Sequence, residues 1–571
     1  MVDSVTLEVI RNGCTAIAEE MNANLVRTGY SPNIKERRDC SCALFDADGE
    51  IVSQAENMPV HLGAMPFSVS AAVDAFEGDL GPGDAVLLND PFHGGAHLPD
   101  LTLVSPVFAD PESDDPTLVA YAANRAHHAD IGGSTAGSVA ADSTEIYQEG
   151  LRIPPVKLFD GGEVVDDVME TILLNVRTPD QRRGDLRAQE AANETARERV
   201  HELVDRYGVD ELSDAFDEVQ DYSERRMRAE LEAFPDGTYS FQDVLDDDGR
   251  GNTDLRVQAE VTVDGDSVSV DFAGTADQTE GPVNAVLAVT SSATYYAIRC
   301  VTDPDIPPNH GCYRPIDIDA PEGSIVNPNP PAAVVGGNLE TSQRVTDVVL
   351  GAFGAEAPER VTAAGQGTMN NITFGGTDPR DGSPYAFYET QGGGFGGRPN
   401  GDGLDGVHVH MSNTMNTPVE VLETAYPLRV RRYAYRPDSG GAGEYRGGLG
   451  LRRDIQVRDH VARFSLLADR QQHPPYGIAG GDSGTCGAAY VHDADAYGDD
   501  DAGERLPQKS VHDLDPGTVV SVLTPGAGGF GDPAARDPEA VRRDLELGKV
   551  TEAFVREHYG LAVLEAGEDD D

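Results

Sequence analysis

The chain has 571 residues, 39% of them hydrophobic, with 99 acidic side chains against 43 basic ones and a formal net charge of −56. A length of this order predicts about three or four domains and leaves room for a large core. The acid excess repels nucleic acid and anionic membrane surfaces, no apolar run is long enough to span a bilayer, and the early charge in Met1-Val2-Asp3 is unlike a secretory signal, so a cytoplasmic protein is expected.

Between residues 4 and 27, apolar side chains at Val5, Leu7, Ile10, Ala16, Ile17, Met21 and Leu25 recur near the helical period, which predicts an amphipathic helix. Residues 38–45 read as a strand with Cys40 and Cys42 on one face; the six cysteines contain no CxxC pair and are expected to be free thiols, these two as core packing. Asp46-Ala47-Asp48-Gly49 marks a hairpin, residues 67–76 a helix, Gly81-Pro82-Gly83-Asp84 a turn, and residues 85–88 a short buried strand. Further strands are predicted at 101–104 and 118–121, on either side of an acidic loop at 110–115.

Two turns attached to these strands carry the chemistry. Asn89-Asp90-Pro91-Phe92-His93-Gly94-Gly95-Ala96-His97-Leu98-Pro99-Asp100 and Asn124-Arg125-Ala126-His127-His128-Ala129-Asp130-Ile131-Gly132-Gly133 hold four of the fourteen histidines and three aspartates. Imidazole and carboxylate brought together from separate turns suit a divalent Mn, Fe or Zn ion. His97 and Asp100 lie three apart around a rigid proline, and an extended His127-His128 pair sends one ring inward. His97, Asp100 and His127 are therefore the expected metal ligands. Asp90, His93, His128 and Asp130 are expected to hold the ligand rings or position water around them. The glycine pairs 94–95 and 132–133 would let the backbone pass close to ion or substrate.

From 179 to 234 the pattern is charged and helical, predicting a solvent-facing helical hairpin broken near Gly208; Arg182, Arg183, Asp185, Gln189 and Asn193 could still furnish a polar wall. Residues 261–272 alternate around Asp264-Gly265, a hairpin signal, and a second domain is expected to start near Gly237. Glycine-rich stretches at 336–344, 365–371 and 389–398 read as loops that could cradle an oxygen-rich ligand, although none has the spacing of a P-loop. The acidic stretch 493–504 reads as a solvated loop and 565–571 as a disordered tail. The fold class expected is a multidomain α+β protein with mixed β-sheets. Its parts are an N-terminal metal-site region (1–178), a helical hairpin (179–236), a β-rich, glycine-rich region (237–535) and a C-terminal helix with an acidic tail (536–571).

The two turns, together with Glu145-Ile146-Tyr147-Gln148-Glu149-Gly150-Leu151-Arg152-Ile153-Pro154-Pro155, Gly281-Pro282-Val283-Asn284, Asn413-Thr414-Met415-Asn416-Thr417-Pro418-Val419-Glu420 and Thr524-Pro525-Gly526-Ala527-Gly528-Gly529-Phe530-Gly531-Asp532, resemble the hydantoinase B/oxoprolinase family nearly end to end. The family commonly shows Thr where this chain has Ala96, which leaves the His97 to Asp100 spacing intact. The family includes the B subunit of N-methylhydantoinases, the C-terminal half of 5-oxoprolinases and the alpha subunit of acetone carboxylases. The resemblance implies a hetero-oligomer in which an A-type subunit uses ATP to phosphorylate a carbonyl of a small cyclic amide and this chain opens the ring at a metal centre. It implies Glu149 or His128 as general base, and Arg152 and Arg344 as groups for a substrate carboxylate or phosphate. An acetone-carboxylase-like carboxylase and a catalytically silent assembly scaffold are the competing readings. With lysine at only four positions and carboxylates in such excess, a halophilic, archaeal member is expected, since the Debye length falls to about 3 Å in 1 M salt.

Overall fold

The computed structural model describes residues 2–55, 57–494, 497–498 and 503–560. The acidic tail at 565–571 lies outside the described residues, as does half of the acidic loop at 493–504.

The N-terminal part is built on a seven-stranded sheet. Its strands are β1 (Cys40–Asp46), β2 (Ile51–Gln54), β3 (Ala85–Leu88), β4 (Asp100–Phe108), β5 (Leu118–His127), β6 (Val156–Asp160) and β7 (Glu163–Val164), in the order β2-β1-β5-β4-β3-β6-β7. All its pairings are antiparallel. Such a sheet can bury a different surface on each face, and period-2 alternation sorts the residues between them. Cys40, Cys42, Leu44, Ala122 and Ala126 join one apolar cluster, Ala43, Phe45, Tyr121 and Ala123 another.

The first face is covered by helix α1 (Ser4–Thr28), which starts where the Asp3 carboxylate accepts from the Val5 and Thr6 amides. The predicted helical hairpin follows beside it. The second face is covered by the short helices α2 (Pro59–Leu62) and α3 (Met65–Ala75). The hairpin consists of α4 (Pro179–Tyr207) and α5 (Val209–Leu231), parted at Gly208, whose φ of 78° ends one helix and begins the next. Most of the hairpin faces solvent, and α4 also supplies the expected polar wall by pressing polar residues into the sheet; Arg183 is not part of it and pairs with Glu170 at the surface. Asn124 of β5 donates to the Gln189 carbonyl and to Asn193 Oδ1 at 2.8 and 2.7 Å, and Gln189 and Asn193 donate to the Leu101 and Leu103 carbonyls. Arg182, Asp185, Gln189 and Asn193 are all fully buried. The polar wall therefore seals the back of the sheet that carries the two turns.

A second sheet, β8 (Gly237–Asp247), β9 (Thr253–Asp264), β10 (Ser267–Asp271) and β11 (Ile316–Asp319), begins at Gly237 and contains the predicted turn between β9 and β10. Helices α6 (Leu287–Val301) and α7 (Ser342–Gly354) pack with it, and one apolar core draws residues from Ala43 through Leu467. Sheets of four and five strands make up most of the rest. One glycine-rich reading is corrected. Residues 337–341 are helical and run into α7, not a loop. Around 392–397, 440–450 and 526–529 the main chains pack closely on one another: a Cβ at Gly394 would lie 2.2 Å from the Gly448 carbonyl oxygen, and Gly448 in turn donates to the Phe395 carbonyl.

Candidate metal centre

Two strand ends bring the ligands together. β3 delivers the chain into the first turn, Asp100 opens β4, and His127 closes β5. The antiparallel register sets Asp100 directly opposite His127, so 27 residues of separation become one cross-strand pair with His127 Nδ1 2.8 Å from Asp100 Oδ1. His97, three residues before Asp100, stacks its ring on that of His127 at 5.4 Å between centroids and 25° between planes. Ligand atoms of the three side chains lie within 4.8 Å of one another.

All three are buried, with His97 0% exposed. Among the described residues, His97 Nδ1 and Nε2 and His127 Nε2 have no hydrogen-bond partner. Buried polar atoms left bare are costly and infrequent, and a cluster of bare imidazole nitrogens beside a carboxylate matches the donor types a divalent ion takes. Burial pushes His97 down to about 3, with Asp100 opposing and His127, His61 and Arg125 adding to the shift; the ring is neutral and its lone pair available. Burial alone would raise Asp100, but His61, His97 and His127 hold it well below the ordinary carboxylate range. The residues fit a divalent transition metal.

The surroundings hold groups not singled out in the sequence. His61, on α2, places Nε2 3.3 Å from Asp100 Oδ2 and 4.0 Å from Asp39 Oδ1, and its Nδ1 is 3.3 Å from Ser41 Oγ. The Tyr388 ring stacks on the other side of His127 at 4.5 Å and 21°, and Arg37 lies over that tyrosine at 5.2 Å while donating to its carbonyl. Arg125, on the face of β5 that His127 shares, donates to Thr102 and Ser68. A lone histidine in Pro59-Val60-His61-Leu62 and an isolated tyrosine carry no local signal that would have identified them.

The other expected residues lie elsewhere. His128 turns its Nε2 to Gln189 Oε1, 2.9 Å away, and burial pushes it down to about 4. It belongs to the polar wall and does not face the cluster. Glu149 is corrected as a base candidate: its carboxylate accepts from the Val334 and Val335 amides and from Ser143, which locks two loops together. Burial nevertheless raises it to about 7 against those three hydrogen bonds. Asp90 and His93 do not hold ligand rings. Asp90 accepts from His93 Nδ1 and Arg152 beside an open cavity of about 520 Å³, where the His93 side chain is 60% exposed. Asp130 accepts from the Gly132 and Gly137 amides and pairs with Arg177, which organises its own turn. Arg344 is corrected as a substrate group, since it is fully buried and bound by Asp243, Asp469 and Asp347 of its own chain at 2.9, 3.2 and 3.5 Å. The glycine pairs also serve the protein's own packing: a Cβ at Gly95 would meet the Asn89 carbonyl oxygen at 2.2 Å.

Residues 3–533 match the model of the family described as hydantoinase B/oxoprolinase. An uncharacterised protein of Methanocaldococcus jannaschii is 40% identical over 580 residues, covering 100% of this chain and 98% of that one. 5-Oxoprolinase 1 of Arabidopsis thaliana is 38% identical over 553 residues, 93% of this chain but 42% of that protein, so this chain corresponds to less than half of it. Among solved structures, the ATP-dependent caprolactamase of Pseudomonas jessenii superposes with a TM-score of 0.91 at 32% identity, covering 98% of this chain and 96% of that one. An acetone carboxylase in its nucleotide-free form has the same fold, with a TM-score of 0.86 at 20% identity.

Proposed function

The chain belongs to the hydantoinase B/oxoprolinase family, and from that premise we propose that it is the B-type subunit of an ATP-dependent cyclic amide hydrolase, which opens the ring of a cyclic imide or lactam activated by an A-type partner. The observation that carries this reading is the convergence of His97, Asp100 and His127 with bare, buried imidazole nitrogens. The similarity to a caprolactamase and to a 5-oxoprolinase supports a cyclic amide as substrate.

An Mn, Fe or Zn ion held by these three side chains would supply a Lewis acid for the carbonyl and acidify a water. His97 would meet it as a neutral imidazole and Asp100 as a carboxylate. Tyr388 fixes the plane of His127 by stacking, and Arg37 in turn holds the Tyr388 segment. His61, flanked by Asp100, Asp39 and Ser41, is the side chain placed to receive a proton released in the cluster, the role expected of Glu149 or His128. The exposed His93 and the Arg152 beside it are left as a place for an anionic group, with Arg152 already paired to Asp90 at 2.8 Å. ATP is assigned to the partner, so the working form is a hetero-oligomer. The excess of carboxylates is read as adaptation to high salt.

The test is elemental analysis and turnover. The chain purified in roughly 2 M KCl, where surface charge is screened, is expected to carry a divalent ion and, with its partner and ATP, to open members of a lactam and hydantoin panel. His97→Ala should lose both the ion and the ring opening. Undiminished turnover in His97→Ala would refute the metal mechanism, and a requirement for bicarbonate and a third, small subunit would replace hydrolysis by carboxylation.

A further inference from the structure

A groove of about 590 Å³ runs along α1 and is closed by β2, by Val219 of α5 and by Pro307 and Pro308. Arg11, Cys14, Glu19, Asn22, Val26 and Arg27 line it at intervals near the helical period, so one face of α1 borders it for about 24 Å along the helix axis. Cys14, Val26, Val52, Ala55, Val219 and the two prolines give it apolar walls. None of the side chains of the metal centre lines it.

The charge of the lining runs against that of the chain. Three arginines and one glutamate border the groove, in a protein with 99 acidic and 43 basic side chains. Arg11 is held by Glu8. Arg27, in the last turn of α1, reaches only Asn24 Oδ1 at 3.5 Å, and the Arg38 guanidinium has no hydrogen-bond or ion-pair partner among the described residues. These two arginines come to the same end of the groove. Asn57 donates to the Arg38 carbonyl at 3.5 Å and to Asn22 Oδ1 at 3.0 Å, and Asn22 precedes Arg27 on α1 by little more than a turn. Glu19 stands about 12 Å from Arg27 along the axis. Arg38 also adopts a φ of 56°, uncommon for a residue with a side chain. In that turn Arg37 and Asp39 are buried beside the metal centre, while Arg38 between them is exposed at the groove.

We propose that this groove binds an amphipathic organic anion, with a carboxylate or phosphate head between the guanidinium groups of Arg27 and Arg38 and a hydrocarbon chain lying along α1 toward Arg11. The site is separate from the metal centre, and it neither uses nor needs the ring-opening reading above. A guanidinium presents its N–H donors in a planar fork that matches a carboxylate or a phosphate. In 1 M salt the Debye length is about 3 Å, so each arginine holds an anion only in direct contact, and burial of a hydrocarbon chain against the apolar walls supplies the rest. A bare inorganic anion gains only the first of these, and a cationic amphiphile meets two unpaired guanidinium groups.

The test titrates the full chain calorimetrically, in roughly 2 M KCl, with octanoate, octyl phosphate, octylamine and inorganic phosphate. Octanoate or octyl phosphate is expected to bind at least about tenfold tighter than octylamine and inorganic phosphate, and the tighter of the two identifies the head group. Arg27→Gln and Arg38→Gln should each weaken that ligand by about tenfold, the loss of one hydrogen bond to a charged group. Ala23→Phe, which fills the groove from an exposed position of α1, should weaken it as well. Arg11→Gln, at the far end and already held by Glu8, should leave the affinity unchanged. Melting temperature and metal content, read on every variant, are expected to match wild type, which separates a lost contact from a damaged fold. A crystal of the wild-type chain soaked in the tighter anion adds a readout independent of variants, with head density expected between Arg27 and Arg38. No binding of either amphipathic anion, wild-type affinity in both arginine variants, octylamine binding as tightly as the anions, inorganic phosphate binding as tightly as octyl phosphate, or density outside the groove overturns the proposal.

Discussion

Replacing His97 by leucine should stabilise the metal-free protein and abolish the stabilisation that metal gives the wild type. His97 is fully buried and neither of its ring nitrogens has a hydrogen-bond partner among the described residues. An unmade hydrogen bond on a buried polar atom costs about 1–3 kcal/mol, so in the metal-free chain the two nitrogens together cost about 2–6 kcal/mol. Leucine has similar bulk and no polar atom, so the metal-free His97→Leu variant should be more stable than metal-free wild type. With an unfolding entropy of about 1.2 kcal/mol/K for a chain of 571 residues, the difference corresponds to about 2–5 °C in Tm. Metal opposes this difference: an ion at a thousand times its Kd adds about 4 kcal/mol, or about 3 °C, to the wild type and nothing to a variant that has lost a ligand. Differential scanning calorimetry after chelation and again after adding Mn or Zn reads both states. If chelated wild type melts at or above chelated His97→Leu, or if both proteins respond equally to the metal, the bare imidazole is not a ligand.

Glu149 is raised by burial from an ordinary value of 4.5 to about 7, so its folded form holds the proton more tightly than the unfolded chain does. Its contribution is fully present below pH 4.5 and is lost as pH rises through about 7. The loss amounts to about 3 kcal/mol, and Glu149→Gln should flatten this part of the Tm-versus-pH curve; parallel curves would contradict the assignment. Arg344→Met leaves Asp243, Asp347 and Asp469 without that cation and should cost about 3–5 kcal/mol of stability. It should do so without altering KM for the cyclic amide; a raised KM at unchanged Tm would return Arg344 to substrate binding.

Local pattern was enough to place the elements that frame the site. The helical period from Val5 to Leu25, the hairpin at Asp46–Gly49 and the short strands around both turns are set by residues close in sequence, and the structure has α1, β1 to β2 and β3 to β5 there. The motif turns also carried the imidazoles and carboxylates that the strands bring together. Long-range packing decided the rest. His61 comes to Asp100 from another helix and Tyr388 to His127 from a distant strand, and nothing in their own neighbourhoods marks them. Arg344 and Glu149 have the composition of binding groups, but the chain's own carboxylates and amides reach them first. The polar side chains of Gln189 and Asn193 face inward, in a segment whose pattern is that of a solvent-facing helix, because Asn124, Leu101 and Leu103 offer hydrogen-bond partners that only the assembled sheet presents. Spacing along a chain determines which face of a strand or helix a side chain occupies; whether that face meets solvent, an ion or another carboxylate depends on which distant segment folds against it.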